Sequence, residues 1–100
     1  MSLKFKAFTV KLLTTKLDES EWTVRSRKMR KYDGLTVHSS NEILISSPKE
    51  LLELIGIAVH EAAHAAVPDL EEDAILRIEH NAIKVLGPIL HQLEILDEPG

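Results

Sequence analysis

The chain contains no cysteine. Disulfides are therefore excluded, and any metal site has to be built from nitrogen and oxygen ligands. Long apolar runs are also missing: no stretch approaches the ~20 apolar positions of a membrane span. Met1-Ser2-Leu3-Lys4-Phe5-Lys6-Ala7-Phe8 has no uninterrupted apolar core of signal-peptide length. These absences predict a soluble intracellular protein, cytoplasmic by default, with no membrane partner. An excess of basic residues is lacking as well. A net charge of −4 and a pI near 5.7 argue against general nucleic-acid binding, which needs a basic surface. One local exception is Arg25-Ser26-Arg27-Lys28-Met29-Arg30-Lys31, with five basic residues in seven, which reads as a solvated strand or loop face. Internal repeats and low-complexity segments are absent too.

What is present suits one compact domain over residues 1–100. With 44% apolar and 28% charged residues in 100 positions, such a chain buries roughly 60–70% of its unfolded surface. There is no length for a separate substrate domain. The first half reads as strands and the second as helices, the pattern of an α+β fold with a small antiparallel or mixed sheet. Apolar and polar residues partly alternate over Lys4–Leu12, a strand candidate in which a helix start is the alternative. Asp18-Glu19-Ser20-Glu21 reads as a turn and Trp22–Arg25 as a strand. After the turn signal Asp33-Gly34, Leu35–His38 and Glu42–Ser46 read as two strands joined by Ser39-Ser40-Asn41.

Ser47, Pro48 and Glu50 have the form of a capping box with proline in the first turn. They predict a helix from about Pro48 to about Ala66, with Leu51, Leu54, Ile55, Ala58, Ala62 and Ala65 as its core stripe. Pro68 ends it by forcing Val67 out of helical geometry. Asp69 is placed to cap a second helix, with the apolar stripe Ala74, Ile75, Ile78, Ala82 and Val85. Gly87-Pro88 is expected to stop that helix at Leu86, leaving a short helical piece from Ile89 to Leu96.

Within the first helix, His60-Glu61-Ala62-Ala63-His64 has the form H-E-x-x-H. Positions i and i+4 lie one turn apart on one helix face, so both imidazoles can aim at one point and offer nitrogen to zinc. Glu61 projects from the edge of that face, placed to act on a metal-activated water and not to bind the metal. The pattern names a reaction class, zinc-assisted hydrolysis of an amide bond. Small residues at the x positions and apolar flanks (Ile57-Ala58-Val59, Ala65-Ala66-Val67) set it apart from a decorated surface helix.

A catalytic zinc takes three protein ligands and keeps one position open. The tight turn Val67–Asp69 folds the opening of the second helix back toward His64, which favours Glu71 or Glu72 as the third ligand. Glu72 is preferred because Glu71 points further outward; Glu79 is the fallback, or an acceptor behind the ligands. The competing role for Glu72 is a capping box with Asp69. His80 and His91 read as surface or packing histidines.

Ile57-Ala58-Val59-His60-Glu61-Ala62-Ala63-His64-Ala65 resembles the active-site helix of the zincin metallopeptidases. Pro68-Asp69-Leu70-Glu71-Glu72-Asp73-Ala74 is similar to the opening of the glutamate helix in short, minimal or phage-type gluzincins. The resemblance covers about residues 32–86. It implies a zinc-dependent metalloendopeptidase acting on a peptide or protein substrate, with metal ligands His60, His64 and Glu72 and general base Glu61. Gluzincins add an oxyanion stabiliser, often Tyr or His, and Tyr32 or His38 is available for that role. Substrate is expected to pair with a sheet edge near Ile43–Ser46. Two other readings differ in class: a latent or inactive zinc-bound interaction module, with Ile89–Leu96 folded over the cleft, and a metal-free partner-binding module.

Overall fold

The computed structural model describes residues 8–48 and 50–95 and is α+β, a four-stranded mixed sheet followed by two helices. The strands are β1 (Leu13–Leu17), β2 (Ser20–Ser26), β3 (Gly34–Val37) and β4 (Glu42–Ile45). The sheet order is β1-β2-β4-β3, with β2 and β4 parallel and the other two pairs antiparallel. The basic run around Arg27–Lys31 is mostly the exposed connection that carries the chain from β2 past β4 to the far edge.

The predicted strand over Lys4–Leu12 is displaced: residues 4–7 lie outside the described part, residues 8–12 are not strand, and β1 begins at Leu13. The first turn is shorter than the sequence pattern suggests. Only Asp18 and Glu19 connect β1 to β2, both with positive φ (50° and 70°), while Leu17 and Ser20 already pair. Positive φ at both central residues is the twist-matched hairpin geometry that favours Asn-Gly or Asp-Gly. Aspartate tolerates it; glutamate gains nothing from it. Glu19→Gly is therefore expected to stabilise the fold by roughly 0.5–1 kcal/mol, raising Tm by about 2–8 °C in a thermal melt. A lower Tm would count against strain at this turn.

The register decides what faces the helices. Side chains alternate across a strand, and Ile43 and Ile45 point to the covered face with Trp22 of β2 and Ile57 of the first helix. Val24 pairs with Ile43, while Thr36 pairs with Ile43 and Gly34 with Ile45, so Gly34 and Thr36 share that face. Leu17, Val24, Leu54 and Ala65 complete the cluster.

Helix α1 spans Leu51–Ala66, three residues shorter than the expected start, and its N-cap is Glu50 with no side-chain capping bond. The Ser47–Glu50 box is thus absent. Pro48 is buried and its carbonyl accepts from the Phe8 amide at 2.7 Å, so this segment is held to the chain's opening instead of entering the helix. The predicted core stripe is partly mis-phased: Leu54 and Ala65 do pack on the core cluster. Ala58 and Ala62 are exposed, whereas Gly56, Ile57 and Glu61 are buried. A helix apolar on nearly every side carries little phase information in its sequence.

Helix α2 spans Glu72–Gln92 without a break, so Gly87-Pro88 does not stop it and Ile89–Gln92 are its last turn. Its N-cap is Glu71, not Asp69. The two helices are antiparallel neighbours, joined by Val67–Glu71. A Cβ on Gly56 would meet Ile83 Cδ1 at 2.8 Å, and one on Gly87 would meet Leu52 Cδ1 at 3.8 Å. Gly56 is thus the close-packing position of the helix pair, whereas at Gly87 the added atom would make only an ordinary contact. Of the expected α2 stripe, Ile75 is fully buried, but Ile78 and Val85 are exposed. Among the described residues, no helix is long and apolar enough to cross a membrane.

Candidate metal centre

Helix α1 has two covered faces, and the H-E-x-x-H residues divide between them. The row Leu52, Gly56, His60, His64, at four-residue spacing, runs along α2, as its partners Gly87, Ile83, Glu79 and Glu72 show. The row Leu54, Ile57, Glu61, Ala65 lies against the sheet. Adjacent residues are about 100° apart around a helix, which suffices to send His60 and Glu61 to different neighbours.

On the α2 side, His60 Nε2 is 2.8 Å from Glu72 Oε1, and His64 Nε2 is 3.1 Å from Glu72 Oε2. The two imidazole centroids are 5.0 Å apart. His60 Nδ1 is 2.8 Å from Glu79 Oε1. A neutral imidazole has one N–H. If Nδ1 donates it to Glu79, the Nε2 lone pair confronts a carboxylate oxygen, and only a proton or a cation between them makes that contact attractive. The ligand atoms of His60, His64 and Glu72 all lie within 4.8 Å of one another, a group that could hold a metal ion. No other group of three such residues was found among the described residues.

Of the carboxylates considered for a third position, Glu72, the first residue of α2, is the one that lies in this group. The helix is capped at Glu71 and not at Asp69, so the competing Asp69–Glu72 capping box is not formed. The Glu72 carboxylate at a helix N-terminus is also favoured by the macrodipole. Glu71 is the N-cap residue, and Glu79 sits behind His60 as the acceptor that orients its ring. His80 is exposed and His91 half-buried; neither belongs to the group. Because orienting acceptors of this kind typically contribute 10–100-fold to metal affinity, Glu79→Ala is expected to weaken binding by about that factor in competition with a chromophoric chelator. Unchanged affinity would remove Glu79 from this role.

On the sheet side, Glu61 is only 5% exposed. Thr36 Oγ1 donates to Glu61 Oε1 at 2.7 Å and also lies 3.0 Å from the Glu61 carbonyl. Gly34 makes the space: a Cβ there would stand 2.7 Å from Glu61 Oε2 and 2.7 Å from Ile57 Cγ2. Neither Thr36 nor the packing use of Gly34 was visible in the sequence, where Gly34 carries only a turn signal. The β3–β4 register is what points both at α1.

A cleft of about 420 Å³ opens between these two faces. Gly56, Ile57, His60 and Glu61 form its floor, Tyr32, Asp33 and Gly34 one wall, and Leu76, Glu79 and Ile83 the other. Of the two oxyanion candidates, Tyr32 borders the cleft. His38 does not; its ring packs edge-on against Trp22 at 5.8 Å. The edge expected to receive substrate also changes. β4, with Ile43–Ile45, is flanked by β2 and β3, so its pairing capacity is used; the outer strand beside the cleft is β3. The C-terminal cover is not present among the described residues either. Ile89 lies 17 residues beyond Glu72 on one continuous helix, roughly 26 Å along its axis at 1.5 Å per residue.

No protein-family model matches this chain, and comparison with curated proteins and with solved structures returned no match either.

Proposed function

We propose that this chain is a zinc-dependent metallopeptidase, with zinc held by His60, His64 and Glu72 and Glu61 as the general base in peptide-bond hydrolysis. The observation that carries this reading is the convergence of two imidazole Nε2 atoms on the two oxygens of Glu72, from a neighbouring helix. The donor set fits zinc. Bonds of about 2.0–2.1 Å place the ligands of a tetrahedron about 3.3 Å apart. Here each imidazole Nε2 lies 2.8 or 3.1 Å from one of the two Glu72 oxygens, and one ligand atom from each of the three residues falls within 4.8 Å of the others. Glu72, with its side chain 57% exposed, has room to adjust toward a shared point with the two imidazoles. Two histidines and one glutamate leave one position open, the pattern of catalytic zinc.

When bound, zinc supplies Lewis acidity, which polarises a carbonyl and lowers the pKa of coordinated water. The chain's own residues do the rest. His60 is kept in one tautomer by Glu79, presenting Nε2 to the metal side. Glu61 borders the same cleft as His60, where a carboxylate can take a proton from the attacking water and return it to the leaving amine. Tyr32, largely exposed at the cleft wall, is available to a developing oxyanion. An extended peptide can pair with the outer edge of β3, using backbone groups that no described strand engages.

The test is metal analysis of untagged protein, joined to cleavage of an unfolded polypeptide with and without a chelator. Close to one zinc per chain is expected, with cleavage lost on chelation and restored by zinc. Well under one zinc per chain would sink the proposal. Stoichiometric zinc without cleavage would favour the rival reading, a zinc-held interaction module.

A further inference from the structure

The Glu61 carboxylate is buried, yet in the proposed role it must meet a reacting group at a defined point. Something has to hold it. Thr36 is the one side chain among the described residues that donates to it, through an Oγ1–Oε1 contact of 2.7 Å. The hydroxyl has a single proton and two acceptors within reach, Oε1 and the Glu61 carbonyl at 3.0 Å. The carbonyl lies inside α1, where it accepts from the amide four residues on. The carboxylate is shorter-ranged and charged, and hydroxyl-to-carboxylate bonds of 2.5–2.7 Å are the stronger kind. The proton therefore goes to Oε1.

We infer that Thr36 is a positioning residue for Glu61: its hydroxyl holds Oε1 and so fixes the orientation of the carboxylate, whose Oε2 lies beside Gly34. The role rests on reading Glu61 as the base. Gly34 and Thr36 act together. They are alternate residues on the same face of β3, so one gives the carboxylate room and the other gives it a donor. Without the donor, the carboxylate keeps its space and loses its fixed orientation. A misplacement of about 1 Å near reacting atoms can lower a rate about 100-fold. The same strand carries the free edge proposed to receive the substrate backbone, so the base and the peptide would take their positions from one element.

The variants are Thr36→Val, which keeps the shape and removes the donor, and Thr36→Ser, which restores it. Thr36→Ala serves if the valine protein does not fold. In the zinc-loaded protein, Thr36→Val is expected to lower kcat about 10- to 100-fold with KM and zinc content unchanged, and Thr36→Ser to recover most of the loss. A second readout is independent of turnover: crystal structures of zinc-loaded wild type and Thr36→Val should show the Glu61 carboxylate in one position in the first and displaced or divided in the second. Unchanged kcat, or a Glu61 carboxylate that stays in place in Thr36→Val, would overturn the inference. If the wild type binds zinc and cleaves nothing, the peptidase reading fails, and the position of Glu61 in the two structures decides for or against Thr36.

Discussion

Glu61→Gln is expected to abolish measurable peptide cleavage while leaving zinc content unchanged. The amide cannot take a proton from water, and loss of a general base typically costs 10²–10⁴-fold in rate. Three features make this substitution a clean one. Glu61 lies outside the group of metal-competent atoms, so the ligand set is untouched. Its side chain faces β3, where the glutamine Oε1 can still accept from Thr36 at the observed 2.7 Å. The shape is nearly unchanged in a place where Gly34 leaves no spare volume. Circular dichroism and metal analysis should therefore match the wild type. Cleavage at the wild-type rate would remove Glu61 from the reaction.

Glu72→Ala should have the opposite profile, with the fold kept and the metal lost. Removing the only carboxylate of the His60, His64, Glu72 group leaves two imidazoles on one helix face. Zinc affinity should fall by more than the 10–100-fold associated with an orienting partner such as Glu79. The fold should tolerate the change, because the Glu72 side chain is 57% exposed at the first position of α2. A carboxylate at a helix N-terminus contributes about 0.3–1 kcal/mol, and an exposed ion pair about 0–1 kcal/mol. Isothermal titration with zinc, beside a melt of the metal-free protein, separates the two effects. Zinc binding at wild-type strength would rule Glu72 out and return the third ligand to Glu79.

The helix pair was legible because its signals are local. Pro68 after an apolar helix and acids opening the next one place two helices side by side, and His60, His64 and Glu72 follow from that adjacency. The four strands were legible in kind, though β1 is displaced to Leu13–Leu17 and begins where no alternation marked it. The helix ends were read wrongly where a local rule met a tertiary contact. Ser47 and Pro48 look like a cap, yet Pro48 is tied to Phe8. Gly87-Pro88 looks like a stop, yet Gly87 fits beside Leu52 and the helix continues through it. Proline removes one intrahelical hydrogen bond; packing along α1 outweighs that loss.

The sequence alone determined the chemistry on offer: no thiol, two imidazoles one turn apart, a carboxylate between them and another just after the turn. Residue type and helical spacing are enough for that, because positions i and i+4 share a face in any α-helix. Only the tertiary structure decided how the pentapeptide is used. Antiparallel packing on α2 gives His60 and His64 to Glu72, and Glu79 to the far side of His60. The register of β3 on β4 sends Thr36 and Gly34 to Glu61. Strand register is a long-range choice that no local pattern around Gly34 or Thr36 records. A slip of one residue would have turned both side chains to the opposite face.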